Sequence, residues 1–251
     1  KTSMLINKNI FQNPSAAIPN FVEDEYSLNW YMTRNERYCL TKLLETLKPK
    51  ISIEIGSFDG GSLQVLSRHS EKVYAIDIDV TLEDRLKDKF NNVTFLIGDS
   101  KDIIPKLLQE LKEKNEILEF ALIDGDHSEL GVKADIENMI KYIPAESLNI
   151  LLHDSFNPEC RKGMKAVNYD ANKHVHYVEL DYITGIFAPG IKNEMWGGFG
   201  HIVLLNEERK GKLQLLESQK KLYDISYLHS KHFLSDKLGF LKPIVNLFRK
   251  K

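Results

Sequence analysis

The chain has 251 residues, 42% of them hydrophobic, enough to bury a sizeable core in one α/β unit or at most two. Its formal net charge of −2 gives no basic field that would favour nucleic acid. The only two cysteines, Cys39 and Cys160, are too few for a disulfide framework and are not spaced as a metal knuckle, so a reducing cytoplasm is the expected setting.

Residues 1–3 precede the first Met and are set aside, and the polar stretch KTSMLINKNIFQNPSAA has no signal-peptide core. The segment ERYCLTKLLETLK then places Leu40, Leu44 and Leu47 at helical spacing, and Pro49 ends it. ISIEI is a strand that hands over to the glycine-rich turn GSFDGGS. KVYAIDI is a second strand ending in acids, followed by the charged, helix-like TLEDRLKDKF. NVTFLIGDS is a third strand, KDIIPKLLQELKEK an amphipathic helix, and LEFALIDGDH a fourth strand. SELGVKADIENMIKYI sets Val132, Ile136, Met139, Ile140 and Ile143 on one helical face, and SLNILLHDSF is a fifth strand. A helix follows from NPECRKGMKA onward, then a sixth strand near Val175 to Leu180 and a seventh, GFGHIVLLN. There is no repeat, low-complexity tract or apolar run approaching the roughly 18 residues of a membrane span.

Strands that are continuous apolar runs alternating with helices predict a parallel sheet covered on both faces. Such sheets bind ligands beyond the carboxyl ends of their strands. Here those ends are Glu54-Ile-Gly56, Asp77-Ile-Asp79, Gly98-Asp99-Ser100, Asp124-Gly-Asp126-His127 and His153-Asp154, and that edge is the expected site. A dinucleotide turn requires G-x-G-x-x-G, with the second glycine admitting the pyrophosphate. In Gly56-Ser57-Phe58-Asp59-Gly60-Gly61 that position is Phe58, and Asp59 adds negative charge beside it. Both suit a ligand without phosphate that carries positive charge, such as S-adenosylmethionine (SAM).

In order, EIGSFDGGS, VYAIDID, VTFLIGDS, ALIDGDHSELGVKADI and ILLHDSF resemble the motifs of class I SAM-dependent methyltransferases. The acid-glycine-acid-His element is similar to that of small O-methyltransferases of glycan and natural-product pathways, relatives of the catechol-type enzymes. The resemblance covers roughly Glu36 to Asn206 and implies a Rossmann-like, doubly wound, mostly parallel seven-stranded sheet with an antiparallel last strand. It implies three parts: 1–35 as an N-terminal segment or lid, 36–206 as the SAM-binding domain, and 207–251 as a basic amphipathic tail. Glu54 and the turn Gly56, Ser57, Phe58, Gly60, Gly61 and Ser62 would face the methionine part, with Glu54 or Asp124 on its ammonium. Asp77 would accept both ribose hydroxyls, Asp99 and Ser100 would read adenine, and Asp79 is a helix cap or supporting group.

In the catechol-type relatives a carboxylate-bound divalent metal lowers the pKa of the acceptor hydroxyl, and a base three residues after the first metal-binding Asp takes the proton. These positions match Asp124 and His127, and imidazole suits the task at neutral pH. The remaining metal positions fall on His153 and Asp154, and His153 is a departure because Mg²⁺ prefers oxygen. Three arrangements follow: Mg²⁺ on Asp124, Asp126 and Asp154; a softer ion such as Mn²⁺ or Fe²⁺ on Asp124, His153 and Asp154; or His127 alone without metal.

Trp196, flanked by Gly197 and Gly198, is a candidate platform for a sugar face, and Tyr26, Trp30, Tyr31 and Arg34 form a candidate lid. Leu234, Leu238, Leu241, Val245 and Phe248 form a helical stripe interrupted by Pro243. Lys231, Lys237, Lys242, Arg249, Lys250 and Lys251 stand there against Asp236 alone. This tail is expected to touch a membrane surface, its own domain or a second subunit. The expected partner is a small-molecule or glycan acceptor, not nucleic acid. The competing readings are an NAD-dependent oxidoreductase or epimerase, for which Tyr169 and Lys173 are spaced as Tyr-x-x-x-Lys, and a non-catalytic SAM-binding protein.

Overall fold

Continuous apolar runs become strands buried on both faces. The computed structural model describes residues 26–187, 194–230, 232, 233 and 236. β1 (Ile51–Ile55) is buried at every position. Along it, side chains alternate between two cores. Ile51, Ile53 and Ile55 join Tyr74 and Ile76 of β2 (Lys72–Asp77) and Ala121 and Ile123 of β4 (Leu118–Ile123) in one core. That core is covered by α4 (Ser100–Glu113), α5 (Glu129–Met139) and α6 (Pro158–Ala166) through Ile104, Ile136 and Met164. Val73, Ala75, Phe120 and Leu122 point the other way. They meet Leu40 and Leu44 of α1 (Arg34–Leu47), Leu66 of α2 (Leu63–His69) and Leu82 of α3 (Leu82–Leu86). Each such fully buried aliphatic side chain contributes about 1.5–3 kcal/mol.

The sheet order is β10-β6-β9-β5-β4-β1-β2-β3. β3 (Val93–Ile97), β2, β1, β4 and β5 (Ser147–His153) are parallel neighbours, and β9 (Phe199–Leu205) is antiparallel between β5 and β6 (Val175–Ile183). This is the Rossmann-like fold of class I methyltransferases, with the expected seven strands. An eighth, the two-residue β10 (Leu215–Leu216), pairs parallel to β6, so antiparallel β9 is not the last strand. A separate two-stranded ribbon, β7 (Ile186–Phe187) with β8 (Met195–Trp196), carries Trp196.

Two expectations shift at helix ends. α3 stops after five residues and passes into a tighter turn over Lys87–Lys89. α5 ends at Met139, and Ile143 lies beyond it, 58% exposed. The cause is Pro144, which disfavours helical backbone at the residue before it.

The end of the described chain, α7 (Lys220–Leu228), is tied down by Arg161, a fully buried side chain. Its guanidinium reaches Asp181 at 2.6 Å and Glu217 at 2.9 Å and lies 4.7 Å from the Tyr223 ring centroid. Leu234, Leu238, Leu241, Val245, Phe248 and the six basic residues of the expected tail lie outside the described residues, as does most of segment 1–35. Asp236 is described and pairs with Lys162 at 2.7 Å. Among the described residues no helix is long and apolar enough to cross a membrane.

Candidate functional site

Strand order reverses at β1, which has β2 on one side and β4 on the other. Beyond the carboxyl ends of these strands lies a cavity of about 980 Å³. The two strand ends meet at Gly56: a Cβ there would stand 2.1 Å from the Asp124 carbonyl oxygen, and its φ is +86°. Only glycine fits that close approach of backbones.

The turn after β1 is held from inside. Both oxygens of Asp77 are engaged: Oδ2 accepts from the N–H groups of Ser57 (2.9 Å) and Phe58 (3.2 Å), and Oδ1 from Asp79 N–H (2.9 Å). With two lone pairs per oxygen, one acceptor site on Oδ1 is left. Phe58 adopts φ +48°, and its ring, 64% exposed, leans on Tyr31 with centroids 5.4 Å apart. A Cβ on Gly61 would meet the Asn29 carbonyl oxygen at 2.4 Å, so the segment before α1 crosses the turn directly. Asn29, Trp30, Tyr31, Met32 and Thr33 of that segment line the cavity with Ser57, Phe58 and Ser62, while Gly60 packs on Leu28 and Leu86 below.

Glu54 is not where the resemblance puts it. It points to the α1/α2 face, is fully buried, does not line the cavity, and accepts from the Ser57 hydroxyl at 2.5 Å. Burial pushes its carboxyl up to about 7, against hydrogen bonds from Ser57 and Ser62. Asp124 is therefore the acid of that pair facing the cavity. Asp99 and Ser100 line it too, with local duties: Asp99 caps α4 through Lys101 N–H at 2.9 Å, and the Ser100 hydroxyl donates to Asp135 at 2.6 Å. Asp79 takes Thr81 N–H and the Thr81 hydroxyl and pairs with Arg85 at 2.8 Å, which hold its carboxyl down at about 2. It holds the turn before α3, whose own N-cap position is Thr81.

At the opposite wall five charged side chains converge. His127 Nε2 lies 3.4 Å from both Asp124 Oδ1 and Asp154 Oδ2, and the side chain is half-exposed. The Asp124 hydrogen bond, helped by the charges of Asp154 and Asp124, raises its pKa against burial. His153 Nδ1 sits 2.8 Å from Asp124 Oδ1, and its Nε2 lies 3.5 Å from Glu36 Oε1. Burial opposes its protonation, but Asp124, Asp154 and Glu36 outweigh burial and lift its pKa well above the ordinary value. Burial likewise opposes ionisation of Asp124 and Glu36, yet the His153 charge holds both below the usual carboxylate range. Asp154, at φ +58° and accepting Gly197 N–H at 2.6 Å, goes the other way because burial dominates.

Asp124, His153 and Asp154 offer three ligand atoms within 4.8 Å of one another. The set is two carboxylates and one imidazole; His153 Nδ1 faces Asp124, while its Nε2, beside Glu36, is buried without a hydrogen bond. Such donors would suit an ion such as Mn²⁺ or Fe²⁺ better than Mg²⁺. Asp126 holds the Ser128 N–H and hydroxyl at 2.9 and 2.8 Å to start α5.

Glu36 is the site residue missing from the sequence-based expectation. Its signal was present as the capping box Thr33-x-x-Glu36, which starts α1. Trp196 lines the cavity and donates to Glu194 at 2.7 Å. The Tyr169–Lys173 pair is no catalytic couple: Tyr169 is buried with its hydroxyl on the Met164 carbonyl, and Lys173 pairs with Glu208 at 3.8 Å.

Residues 53–155 match the profile of a family described as a methyltransferase domain. No curated protein matches the sequence. Among solved structures, cofactor-bound Rv0187 from MTB is similar at 14% identity and a TM-score of 0.54, over 74% of this chain and 86% of that one. The O-methyltransferase TomG from Streptomyces achromogenes, solved with SAM, is similar at 12% identity and a TM-score of 0.52, over 70% and 82%. Every site residue expected from the sequence, Glu54 to Asp154, lies in the segment similar to a methyltransferase domain, on the fold of that class.

Proposed function

We propose that the protein methylates a hydroxyl of a sugar or small natural product with SAM, using His127 as general base. The observation that carries this is the fate of the turn's donors. A pyrophosphate needs free N–H groups at the strand-to-helix turn; here Ser57 and Phe58 give theirs to Asp77. The turn thus presents a carboxylate where a dinucleotide brings phosphate, which favours SAM over NAD. When bound, SAM supplies a methyl group activated by its positive sulfur. Asp124, having spent Oδ1 on the two histidines, keeps Oδ2 for the ligand's ammonium.

On the acceptor side, His127 reaches the cavity and takes the hydroxyl proton as the carbon–oxygen bond forms and the carbon–sulfur bond breaks. Asp124 and Asp154 stabilise the resulting imidazolium. No step in this reading passes through a metal; Asp124, His153 and Asp154 would hold one. The O-selectivity is supported by a base whose partners are carboxylates, and the acceptor class by the resemblance and by the exposed rings of Tyr31 and Phe58 and the partly buried Trp196 lining the cavity.

The test is transfer of a labelled methyl group from SAM to pools of hydroxylated sugars and phenols. Label on oxygen is expected, with His127→Ala slowing transfer by about 10²–10⁴-fold while S-adenosylhomocysteine (SAH) affinity stays. Label on nitrogen, or an unimpaired His127→Ala, contradicts the assignment.

A further inference from the structure

Glu36 has two carboxylate oxygens with separate work. Oε2 accepts from Thr33 N–H, closing the capping box at the end of the cavity-lining segment Asn29–Thr33. Oε1 accepts from Gly198 N–H, 162 residues away, and lies 3.5 Å from His153 Nε2. A capping box needs only the first of these. Gly197 and Gly198, at φ +74° and +82°, wrap around Oε1, and a Cβ on Gly197 would come within 2.6 Å of it. The same turn follows Trp196, and Gly197 N–H is fixed by Asp154. One carboxylate, 1% exposed, therefore touches the N-terminal wall, the Trp196 rim and the ring beside Asp124.

We propose that Glu36 is a positioning residue of the acceptor wall, locking His153 and the Gly197–Gly198 turn, and with it Trp196, against the segment that crosses the glycine-rich turn. This rests on the methyltransferase reading only in calling that wall the acceptor side. The lock itself is a property of the free protein.

Glu36→Gln separates the two duties. Glutamine retains a capping box through its oxygen, but turns an amide donor toward Gly198 N–H, where a donor already points, and removes the charge beside His153. Thr33→Ala does the reverse, weakening the cap and leaving Oε1 in place. The readouts are the ¹⁵N imidazole resonances of His153 and the emission of Trp196 in a Trp30→Phe background, since the chain has two tryptophans. Glu36→Gln is expected to shift both signals, with SAH affinity within about threefold of the parent. Thr33→Ala is expected to lower Tm and move neither signal. If Glu36→Gln lowers Tm and leaves both signals unmoved, Glu36 is a helix cap only and the proposal is overturned. Should Glu36→Gln not fold, Gly197→Ala pushes on Oε1 from the other side; a shifted Trp196 signal with an unmoved His153 resonance then overturns it equally. Failure of the unsubstituted protein to bind SAH would instead contradict the methyltransferase reading, and the His153 and Trp196 signals would still decide the lock.

Discussion

Two buried charge clusters in the molecule are built for different ends. Around Arg161, a fixed cation meets Asp181 and Glu217 under the rings of Phe156 and Tyr223, away from the cavity. Around His153, a titratable cation meets Asp124 and Glu36, with Asp154 and His127 adjoining, and this cluster opens to the cavity. Both satisfy the rule that buried charges are paired. What makes the second a site is a hub that can lose its proton, an excess of acids, and a wall facing solvent.

The contrast breaks most visibly on removal of a hub. Arg161→Leu strands the buried Asp181 carboxylate, leaves Glu217 to Lys165 alone and is expected to cost about 3–5 kcal/mol in urea unfolding; a loss under about 1 kcal/mol would mean that the cluster does not hold the C-terminal elements. On the cavity side, Asp77→Ala frees the Ser57 and Phe58 N–H groups and removes the ribose acceptor. It is expected to weaken SAH binding by about 10–100-fold, the cost of lost hydrogen bonds to a charged group of about 1.5–3 kcal/mol.

Glu217 in the first cluster and the two histidines in the second should respond to pH with opposite signs. Burial opposes ionisation of Glu217, but Lys165 and Arg161 hold it below its usual range, so its contribution is present above the ordinary carboxylate value and lost as pH falls. His153 and His127 carry raised values. Their contribution is complete below pH 6.5 and is lost as pH rises through those values, whereas the contribution of Glu54, raised to about 7, is lost earlier, between its ordinary carboxylate value and about 7. Stability should therefore fall from neutral pH upward, by at most about 1.4 kcal/mol per pH unit for each proton. His153→Gln should flatten that limb, and an unchanged slope would place the charge elsewhere. The smallest effect is expected from metal removal: EDTA should leave both SAH affinity and transfer rate unchanged, and a loss restored by Mg²⁺ or Mn²⁺ would show that His153 yields its place to an ion.

The sequence made the fold legible wherever apolar runs were continuous. ISIEI, LEFALI and SLNILLH are strands because their apolar residues fall on both faces of a covered sheet, and acids at their ends mark the open edge. Helix ends were legible only with the stop signals taken seriously, as Pro144 shows. Asp124, His127, His153 and Asp154 converge as their spacing implied. The misplacement of Glu54 has a period-2 cause: in ISIEI it shares a face with Ser52, toward α1 and α2, so it supports the turn from below. Glu36 was hidden because its partner Gly198 is 162 residues distant, a contact that no local pattern encodes.

The most direct measurement is a calorimetric titration of the protein with SAH and, separately, with NAD. Heat at micromolar SAH and none with NAD is the result expected from a turn whose N–H groups belong to Asp77. Binding of NAD with no response to SAH would contradict it, and with it the methyltransferase reading.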